Sequence, residues 1–406
     1  METPPTEIRI DSVAHGGDGV GRIDGKAHFV PGTMPGELAA VTVTEDKGNF
    51  ARTRLDRIIE PAPDRVAPPC AHFGDCGGCE WQFAEYQAQL AWKEATVRGQ
   101  LEHLGRIPDP PVAPIVASSA PFSYRNRMDF HVADRRPALF RARSHDLVAI
   151  DECHLLRPEL TGLFTELGPL DGVRQVIVRC GVATGDRLVV VDGALPSDAE
   201  RWQANVAVRE GTSVRAVSGP PSIREQVGGV TFRVSALAFF QVNTEGAEHL
   251  VRLAREGLAV TADDVLLDGF AGGGLFAATV GAKAGRVIAV EGNRTAIADA
   301  RRNLRAALPE RNRVVVGRFT DVVHRLDEYW SVAIVDPPRS GLGTDGVAAV
   351  TAATPRAVAY VSCDPASLAR DAAAFSAEGY HLERATPVDL FPQTHHIETV
   401  AVFVNR

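Results

Sequence analysis

The chain has 406 residues, of which 45% are hydrophobic and 23% are charged, with a formal net charge of -8. This length predicts roughly two to three domains, and the absence of an apolar run of about 18 residues excludes a helical membrane protein. The opening METPPTEIRI lacks the basic and apolar stretches of a secretory signal, so we expect a soluble cytoplasmic protein with reduced cysteines. The negative net charge disfavours nonspecific coating of nucleic acid, although a local basic patch would still hold RNA or DNA.

The first 60 residues contain short β-prone stretches separated by glycine-rich turns. The stretches lie at 7–12, 15–22, 26–30, 37–43 and 51–58. They predict a small β-barrel, either an oligonucleotide-binding barrel or another all-β module. Prolines 61, 63, 68 and 69 predict a linker, so we assign residues 1–62 to an N-terminal barrel domain.

Three cysteines lie within ten residues, among glycines that permit tight chain reversal: Cys70, Cys76 and Cys79. Such a group requires a fourth ligand. Cys153 is the best candidate because it lies in a polar turn, whereas Cys180 lies in an apolar strand and is expected in the core. From the spacing alone, structural zinc, with cysteine or His72 ligands, and an iron–sulfur cluster are both open.

Apolar residues recur every three, four or seven positions between residues 82 and 104, which predicts an amphipathic helix that stops at Gly105 and Pro108. Strand and turn signals then dominate residues 112–234. We therefore predict a mixed, mainly β middle domain over residues 63–235 that carries the cysteines.

The stretch from residue 124 to 143 contains six arginines interleaved with aromatic residues. Arginines beside aromatic rings suit phosphate contact and stacking on an extruded base of RNA. A solvated basic face is the alternative interpretation. The residues predicted to contact RNA are Tyr124, Arg125, Arg127 and Arg141, and Phe130, Arg135, Arg136 and Arg143 lie in the same stretch.

From residue 265 onward, apolar strands alternate with helical stretches. This alternation predicts right-handed βαβ units, and hence an α/β fold with a doubly wound, mostly parallel sheet. We assign residues 236–406 to this third domain.

The first strand of that domain runs into a glycine-rich turn and a helix over residues 265–277. Gly272 and Gly274 permit close approach of the backbone to a ligand, and Glu291 ends the next strand, where a carboxylate accepts ribose hydroxyl hydrogens. The same pattern satisfies the dinucleotide fingerprint, so pockets for S-adenosylmethionine and for NAD are both open.

Three further residues follow or precede predicted strands of this sheet. Asp336 begins an Asp-Pro-Pro-Arg motif after a strand, and Arg339 replaces the aromatic residue that adenine methyltransferases use for stacking. Cys363 ends a strand just before a helix, whose dipole would lower the pKa of its thiol, although a buried structural cysteine is equally compatible with that position. Glu398 begins the final strand and, taken alone, would be a surface acid.

A thiol and a carboxylate beside a methyl-donor pocket fit methylation of a pyrimidine at C5. The C5 carbon is a poor nucleophile until a thiolate adds to C6 and generates an enolate. A base must later remove the C5 proton so that the cysteine is eliminated, and a partly desolvated glutamate suits that task.

These motifs resemble those of the bacterial RNA uracil-5-methyltransferases, and the resemblance covers nearly the whole chain. The motifs, in family order, are Phe239-Phe-Gln-Val-Asn243, Asp336-Pro-Pro-Arg-Ser-Gly341, Ser362-Cys-Asp-Pro365 and His395-His-Ile-Glu398. The resemblance implies that Cys363 is the nucleophile and Glu398 the base. It also implies that Gln241, Phe270, Glu291 and Asp336 bind the methyl donor S-adenosylmethionine.

The resemblance extends to the other two domains. Residues 7–60 resemble a TRAM domain, which helps to hold RNA, and a helix like 82–104 packs on the catalytic domain in these relatives. The family favours a [4Fe–4S] cluster on Cys70, Cys76, Cys79 and Cys153 over zinc. The TRAM-like barrel and the cysteines favour ribosomal over transfer RNA as the substrate.

The chain departs from the family pattern at two positions near the site. Leu275 stands where the family often has Asn, which removes a polar contact to the donor. Asp364 stands where Asn commonly follows the nucleophile, and its charge would raise the pKa of Cys363. A non-catalytic RNA-binding or RNA-folding protein on the same scaffold is the alternative, but binding alone requires neither Cys363 nor Glu398.

Overall fold

The computed structural model describes residues 5–405. Residues 1–4 and 406, at the outer ends of the first and third predicted domains, lie outside the described residues. Within the described range, no helix combines the length and the apolar character needed to cross a membrane.

The N-terminal strands close into a five-stranded barrel, as predicted, with the order β1-β2-β3-β5-β4. Gly21 is required where β2 crosses β1, because a Cβ there would lie 2.2 Å from the carbonyl oxygen of Arg9. The strands are β1 Thr6–Val13, β2 Gly19–Ile23, β3 Lys26–Val30, β4 Leu38–Asp46 and β5 Phe50–Glu60.

The predicted amphipathic helix is α1, Tyr86–His103, and it begins four residues later than the sequence pattern indicated. The preceding residues form a buried turn, in which Ala84 N donates to Trp81 O and the rings of Trp81 and Phe83 are enclosed. Helix α1 packs on a helix of the C-terminal region.

A seven-stranded, mainly antiparallel sheet forms the middle of the chain, with the order β12-β11-β10-β9-β6-β7-β8. A short helix, α2 Pro158–Glu166, packs on this sheet and was not predicted. The strands are β6 Arg127–Ala133, β7 Arg136–Phe140, β8 Leu147–Ala149, β9 Val173–Cys180, β10 Arg187–Gly193, β11 Asn205–Glu210 and β12 Ser213–Ser218. A separate hairpin follows, β13 Ser222–Val227 and β14 Val230–Ser235.

The C-terminal sheet has seven strands in the order β17-β16-β15-β18-β19-β21-β20, and helices cover both faces. Five strands pair in parallel, and β21 pairs antiparallel with both β19 and β20, so this is the doubly wound α/β fold that the alternation predicted. The strands are β15 Val265–Gly269, β16 Arg286–Glu291, β17 Asn312–Val316, β18 Val332–Val335, β19 Ala357–Ser362, β20 Tyr380–Val388 and β21 Glu398–Asn405. The helices are α3 Thr244–Leu258, α4 Leu275–Thr279, α5 Arg294–Ala307, α6 Phe319–Val323, α7 Gly343–Thr351 and α8 Pro365–Ala377.

Candidate active site

The candidate nucleophile and base meet because of the way the final strand pairs. Strand β21 runs antiparallel to β19, and Thr399 pairs with Ser362. Residue 363 therefore leaves the end of β19 next to the start of β21, where Glu398 lies. Both side chains line one cavity of about 700 Å³, a volume within the usual range for small-molecule sites.

Cys363 is partly buried, and its thiol does not have the lowered pKa that the helix position predicted. Burial raises its pKa to about 12, and the carboxylates of Glu398 and Asp336 add to the rise. The charge of Asp364 acts in the same direction, as predicted, while Arg339 opposes it. Desolvation and these acids therefore outweigh the dipole of α8, so the resting thiol holds its proton.

Asp364 also has a structural role that its departure from the family pattern did not suggest. One carboxylate oxygen accepts a hydrogen bond from Ser367 N at 2.7 Å and so caps α8. The other oxygen lies 3.1 Å from Nε2 of His15, in a loop of the barrel. The hydrogen bond with His15, together with the one from Ser367, holds the pKa of Asp364 well below its usual range.

Glu398 is 5% exposed, so the alternative that it is a surface acid is wrong. Burial raises the pKa of its carboxyl group well above the ordinary value, and the neighbouring Asp336 adds to the effect. A carboxylate in this environment is a stronger base than one in water.

Asp336 follows β18 at the same edge of the sheet and lines the same cavity. Its backbone N donates to Gly269 O at 3.2 Å, which holds the Asp-Pro-Pro turn against the glycine turn after β15. Burial raises the pKa of its carboxyl group to about 7. Asp336 therefore changes its protonation near neutral pH.

The glycine turn and Glu291 form the other end of the cavity. The carboxylate of Glu291 accepts hydrogen bonds from Gly272 N at 2.7 Å and from Asn293 N at 2.6 Å. Each of its oxygens retains a lone pair for a ribose hydroxyl. Gly274 does not line the cavity, contrary to the prediction of close ligand approach. Its φ is +88°, and a Cβ there would lie 3.3 Å from Leu304, so Gly274 serves the turn and the packing of α5.

Gln241, Phe270 and Leu275 also line the cavity. Phe270 has a φ of +64°, a strained value for a residue with a side chain, and its ring stacks on Phe319 with centroids 5.0 Å apart. Leu275 presents an apolar wall where an amide would have offered a hydrogen bond.

Three residues of this region received no role from the sequence, although Phe239 and His396 lie within the motifs that carry the resemblance. Phe239 is 65% exposed and lies at the cavity, although a ring of this size is ordinarily enclosed. Asp268 is buried beneath the glycine turn and accepts from Ala277 N at 2.7 Å, and its position at the end of β15 was the available signal. His396 lines the cavity beside Arg339, and burial lowers the pKa of its imidazole to about 4.

The cysteines form a second site. The four predicted ligands line a separate cavity of about 310 Å³: Cys70, Cys76, Cys79 and Cys153. Cys180 is fully buried in the core of the middle sheet, as predicted. Glu152 and His154 lie nearby, and their ligand atoms are within 4.8 Å of the sulfur of Cys70. These residues have the chemistry to hold a metal centre.

In the stretch predicted to contact RNA, the aromatic side chains are buried and most of the arginines are bound to neighbouring groups. Tyr124 is buried, and its hydroxyl donates to Pro392 O at 3.1 Å, so its ring is not presented to a base. Phe130 is also a core residue. Arg127 is bound to Asp129 and to Ala238 O.

The exposed arginines of this stretch each form an ion pair, with the pairs Arg135–Asp171, Arg136–Asp151, Arg141–Asp75 and Arg143–Asp18. Arg125 alone lies at both cavities, with its guanidinium 5.9 Å from the ring centroid of Phe391. Most of the predicted basic patch is therefore neutralised by its own neighbours.

Two family models match the chain. A model described as tRNA (Uracil-5-)-methyltransferase matches residues 223–406, which include the larger cavity. A model of the TRAM domain matches residues 6–55, which form most of the barrel.

Known proteins are similar to this chain over nearly its whole length. An uncharacterised RNA methyltransferase of Thermosynechococcus vestitus is 32% identical over 435 residues, covering 98% of this chain and 97% of that protein. One from Streptomyces coelicolor is 35% identical over 423 residues, covering 98% and 92%. Among solved structures, the tRNA (uracil-54, C5)-methyltransferase of Pyrococcus abyssi in complex with S-adenosyl-L-homocysteine is 25% identical with a TM-score of 0.77, covering 98% of this chain and 99% of that one.

Proposed function

The chain belongs to the RNA uracil-5-methyltransferase family, and on that premise we propose that it methylates C5 of a uridine in ribosomal RNA through a covalent adduct on Cys363. The family carries out S-adenosylmethionine-dependent methylation, which removes the nicotinamide oxidoreductase as an alternative. The observation that carries the mechanism is the pairing of Ser362 with Thr399, which brings Cys363 and Glu398 to one cavity.

The cavity suits the methyl donor, which supplies a methyl group on a positively charged sulfur. Glu291, Asp336 and Glu398 place three carboxyl groups around a volume of about 700 Å³. The positive charge of the sulfonium favours their ionised forms, which burial disfavours at Asp336 and Glu398. We assign ribose binding to Glu291 and contacts along the donor to Gln241 and Phe270.

The chain's residues then act on the uridine in a defined order. Cys363 loses its proton, and its sulfur forms a bond to C6, which moves the C5–C6 π electrons onto the C4 carbonyl oxygen as an enolate. The enolate carbon C5 takes the methyl group. Glu398 accepts the C5 proton, the C5–C6 double bond forms again, and the bond between C6 and sulfur breaks to release thiolate.

The high pKa of Cys363 means that its proton needs an acceptor at neutral pH. The carboxylates of Asp336 and Glu398 interact with the thiol, and both have raised pKa values. When one of these carboxylates accepts the proton of the thiol, it loses its own negative charge and no longer repels the thiolate that forms. We assign this role to Asp336, because Glu398 must be deprotonated for the elimination.

Phe239 gives the uridine a surface on which to stack. Its ring is exposed at the cavity that holds the nucleophile. A base removed from an RNA stack is commonly held by an aromatic side chain.

The test of the covalent mechanism is a single turnover with the variant Glu398→Gln. The amide cannot take the C5 proton, so a methylated protein–RNA adduct is expected to accumulate with ordinary uridine and to survive denaturing electrophoresis. Cys363→Ala is the matched control and should form neither adduct nor 5-methyluridine. Normal turnover of Glu398→Gln would remove Glu398 from the mechanism, and methylation by Cys363→Ala would contradict the covalent step.

The ribosomal assignment rests on the barrel and the cysteines, and transfer RNA is the second candidate. A transfer RNA enzyme aligns with 98% of this chain, which favours that second candidate. The alignment means that the arrangement of domains does not by itself distinguish an enzyme for ribosomal RNA from one for transfer RNA. Mapping 5-methyluridine in both RNA classes, from cells with and without the gene, distinguishes them. Loss from transfer RNA alone would contradict the ribosomal assignment.

The cysteine cavity is the proposed site of a [4Fe–4S] cluster. Cys70, Cys76, Cys79 and Cys153 line this one cavity of about 310 Å³, which offers the four thiolates that such a cluster requires. The family resemblance favours the cluster. Zinc is the alternative, and Glu152 and His154, whose ligand atoms lie within 4.8 Å of the sulfur of Cys70, are further possible ligands for it.

Metal analysis of anaerobically purified protein tests this assignment. Iron and sulfide in equal amounts are expected, and stoichiometric zinc without iron would contradict it. Cys153→Ser should lose iron, whereas Cys180→Ser, the control, should retain it.

A further inference from the structure

Helix α5 presents an exposed face whose charged residues are all arginines. Its described solvent-facing positions are Arg294, Thr295, Ala298, Arg301, Arg302, Arg305 and Ala306. Four of these are arginines and none is acidic. The four arginines, which we call the α5 arginine face, form no ion pair with any carboxylate of residues 5–405.

This face is unusual in a protein with a net charge of -8. Elsewhere, exposed arginines are commonly neutralised by close carboxylates, as the four pairs in the stretch 135–143 illustrate. The acidic residue of α5 itself, Asp299, points inward and is bound to Arg233 at 2.8 Å and to Ser235 N at 2.7 Å. Nothing on the helix therefore offsets the positive charge of its outer face.

The position of α5 links this charge to the active site. Asn293 caps the helix by accepting from Thr295 N at 2.9 Å, and both Asn293 and Ala296 line the active-site cavity. The 14 residues of the helix then extend about 21 Å away from the cavity. Arg302 also lines a groove of about 380 Å³ between α5 and the hairpin β13–β14, together with Arg224 and Arg233.

The buried side of the helix fixes the position of α5 on the sheet. Asn303 accepts from Arg233 N at 2.9 Å and donates to Arg233 O at 3.1 Å, so α5 is tied to strand β14. Its amide also donates to Gly273 O at 2.9 Å, in the glycine turn of the cavity. The backbone positions that carry the arginines are thus fixed relative to the cavity.

We propose that the α5 arginine face binds the sugar-phosphate backbone of the substrate RNA, outside the nucleotide that reacts. This inference rests on the proposed function, because it takes RNA as the substrate. The complementary charge identifies the partner: a polyanion whose phosphates repeat along a length similar to that of the helix. Arginine is suited to this role because its guanidinium forms two hydrogen bonds with one phosphate.

The test compares two triple variants that each remove three positive charges. The first is Arg301→Gln, Arg302→Gln, Arg305→Gln, which leaves Arg294 near the donor cavity unchanged. The matched control replaces three ion-paired arginines away from α5 with glutamine: Arg174, Arg215 and Arg252, whose partners are Asp192, Glu210 and Glu256. Binding of a fluorescently labelled stem-loop RNA with uridines in its loop is measured by anisotropy between about 50 and 200 mM salt.

The slope of log affinity against log salt is negative, and each lost phosphate contact reduces its magnitude by about 0.7 to 0.9. The α5 variant, which loses three arginines, should therefore show a slope that is shallower by about 2 to 3. We expect its affinity at low salt to fall about tenfold or more, while the control variant changes much less. Retained binding of S-adenosylmethionine by the α5 variant checks that the fold is intact.

Equal weakening by both variants would show a general charge effect and overturn the proposal. An unchanged slope in the α5 variant would also overturn it, and would leave an acidic protein as the candidate partner of this face. The assay needs no methyl transfer, so failure of the proposed function appears separately, as absence of 5-methyluridine with normal RNA binding.

Discussion

Replacing Lys93 by methionine tests how helix α1 supports the loop that runs from Asp389 to Glu398. Lys93 Nζ lies 2.6 Å from Asp389 Oδ1 and donates to Phe391 O at 3.0 Å. Both charged side chains are completely enclosed, and Asp389 leads into the loop that ends at Glu398. The pair therefore fixes the start of the segment that leads to Glu398, the proposed base.

The expected loss of stability follows from what the substitution leaves behind. Methionine retains most of the volume of the lysine stem, so any cavity contributes less than about 1 kcal/mol. Asp389 keeps one side-chain donor among the described residues, the hydroxyl of Tyr86 at 2.8 Å. Breaking a buried ion pair in this way costs about 3–5 kcal/mol, a large part of the roughly 5–15 kcal/mol that stabilises a folded protein.

Urea unfolding followed by tryptophan fluorescence measures the effect, because Nζ of Lys93 lies 5.7 Å from the ring centroid of Trp81. The double variant Lys93→Met, Asp389→Leu should be more stable than Lys93→Met alone, since it leaves no unpaired charge. Lys47→Met, at the exposed pair with Glu45, is the control and should cost less than about 1 kcal/mol. A loss below about 1 kcal/mol for Lys93→Met would refute the reasoning.

Three further predictions concern the active site. Alkylation of Cys363 by iodoacetamide, measured on its peptide by mass spectrometry, should rise through pH 9 without a plateau, because its pKa is about 12; a plateau near pH 7 would contradict this. The pKa of Asp336 is about 7 when folded and about 3.9 when unfolded, so wild-type stability should fall as pH rises between those values. Asp336→Asn removes that titration, and its stability relative to wild type should rise by up to about 3 kcal/mol from pH 5 to pH 8 in urea melts; parallel pH profiles would be evidence against the raised pKa. Phe239→Ala should lower kcat/KM for RNA about tenfold to a hundredfold with an unchanged melting temperature, and equal kcat/KM values would exclude stacking.

Local sequence patterns were sufficient for the larger elements and for the edge of the sheet that carries the site. Apolar strands in alternation with helices indicated the doubly wound sheet, and the carboxyl ends of its parallel strands carry Asp336 and Cys363. Glycine-separated strands likewise indicated the barrel. These features are readable because strand formation and turns depend on residues close together in the chain.

Predictions that depended on burial were less reliable. Tyr124 was expected to face RNA and is a core residue, and the thiol of Cys363 was expected to be acidic and is the reverse. The start of α1 was misplaced because residues before Tyr86 are apolar for a tertiary reason, the burial of Trp81 and Phe83. A side chain's exposure is set by elements far away in sequence, which no local pattern contains.

The sequence by itself determined which chemical groups this protein possesses: a thiol after one strand, a carboxylate before another and four cysteines suited to a metal centre. Only the tertiary structure decided which of them lie together. The register of β21 on β19 brings Glu398 to Cys363, and the packing of α5 on β14 leaves four arginines of that helix exposed and unpaired along a line that starts at the cavity. Strand register and ion pairing are contacts between distant segments, and their energies depend on the burial and geometry that the complete fold creates.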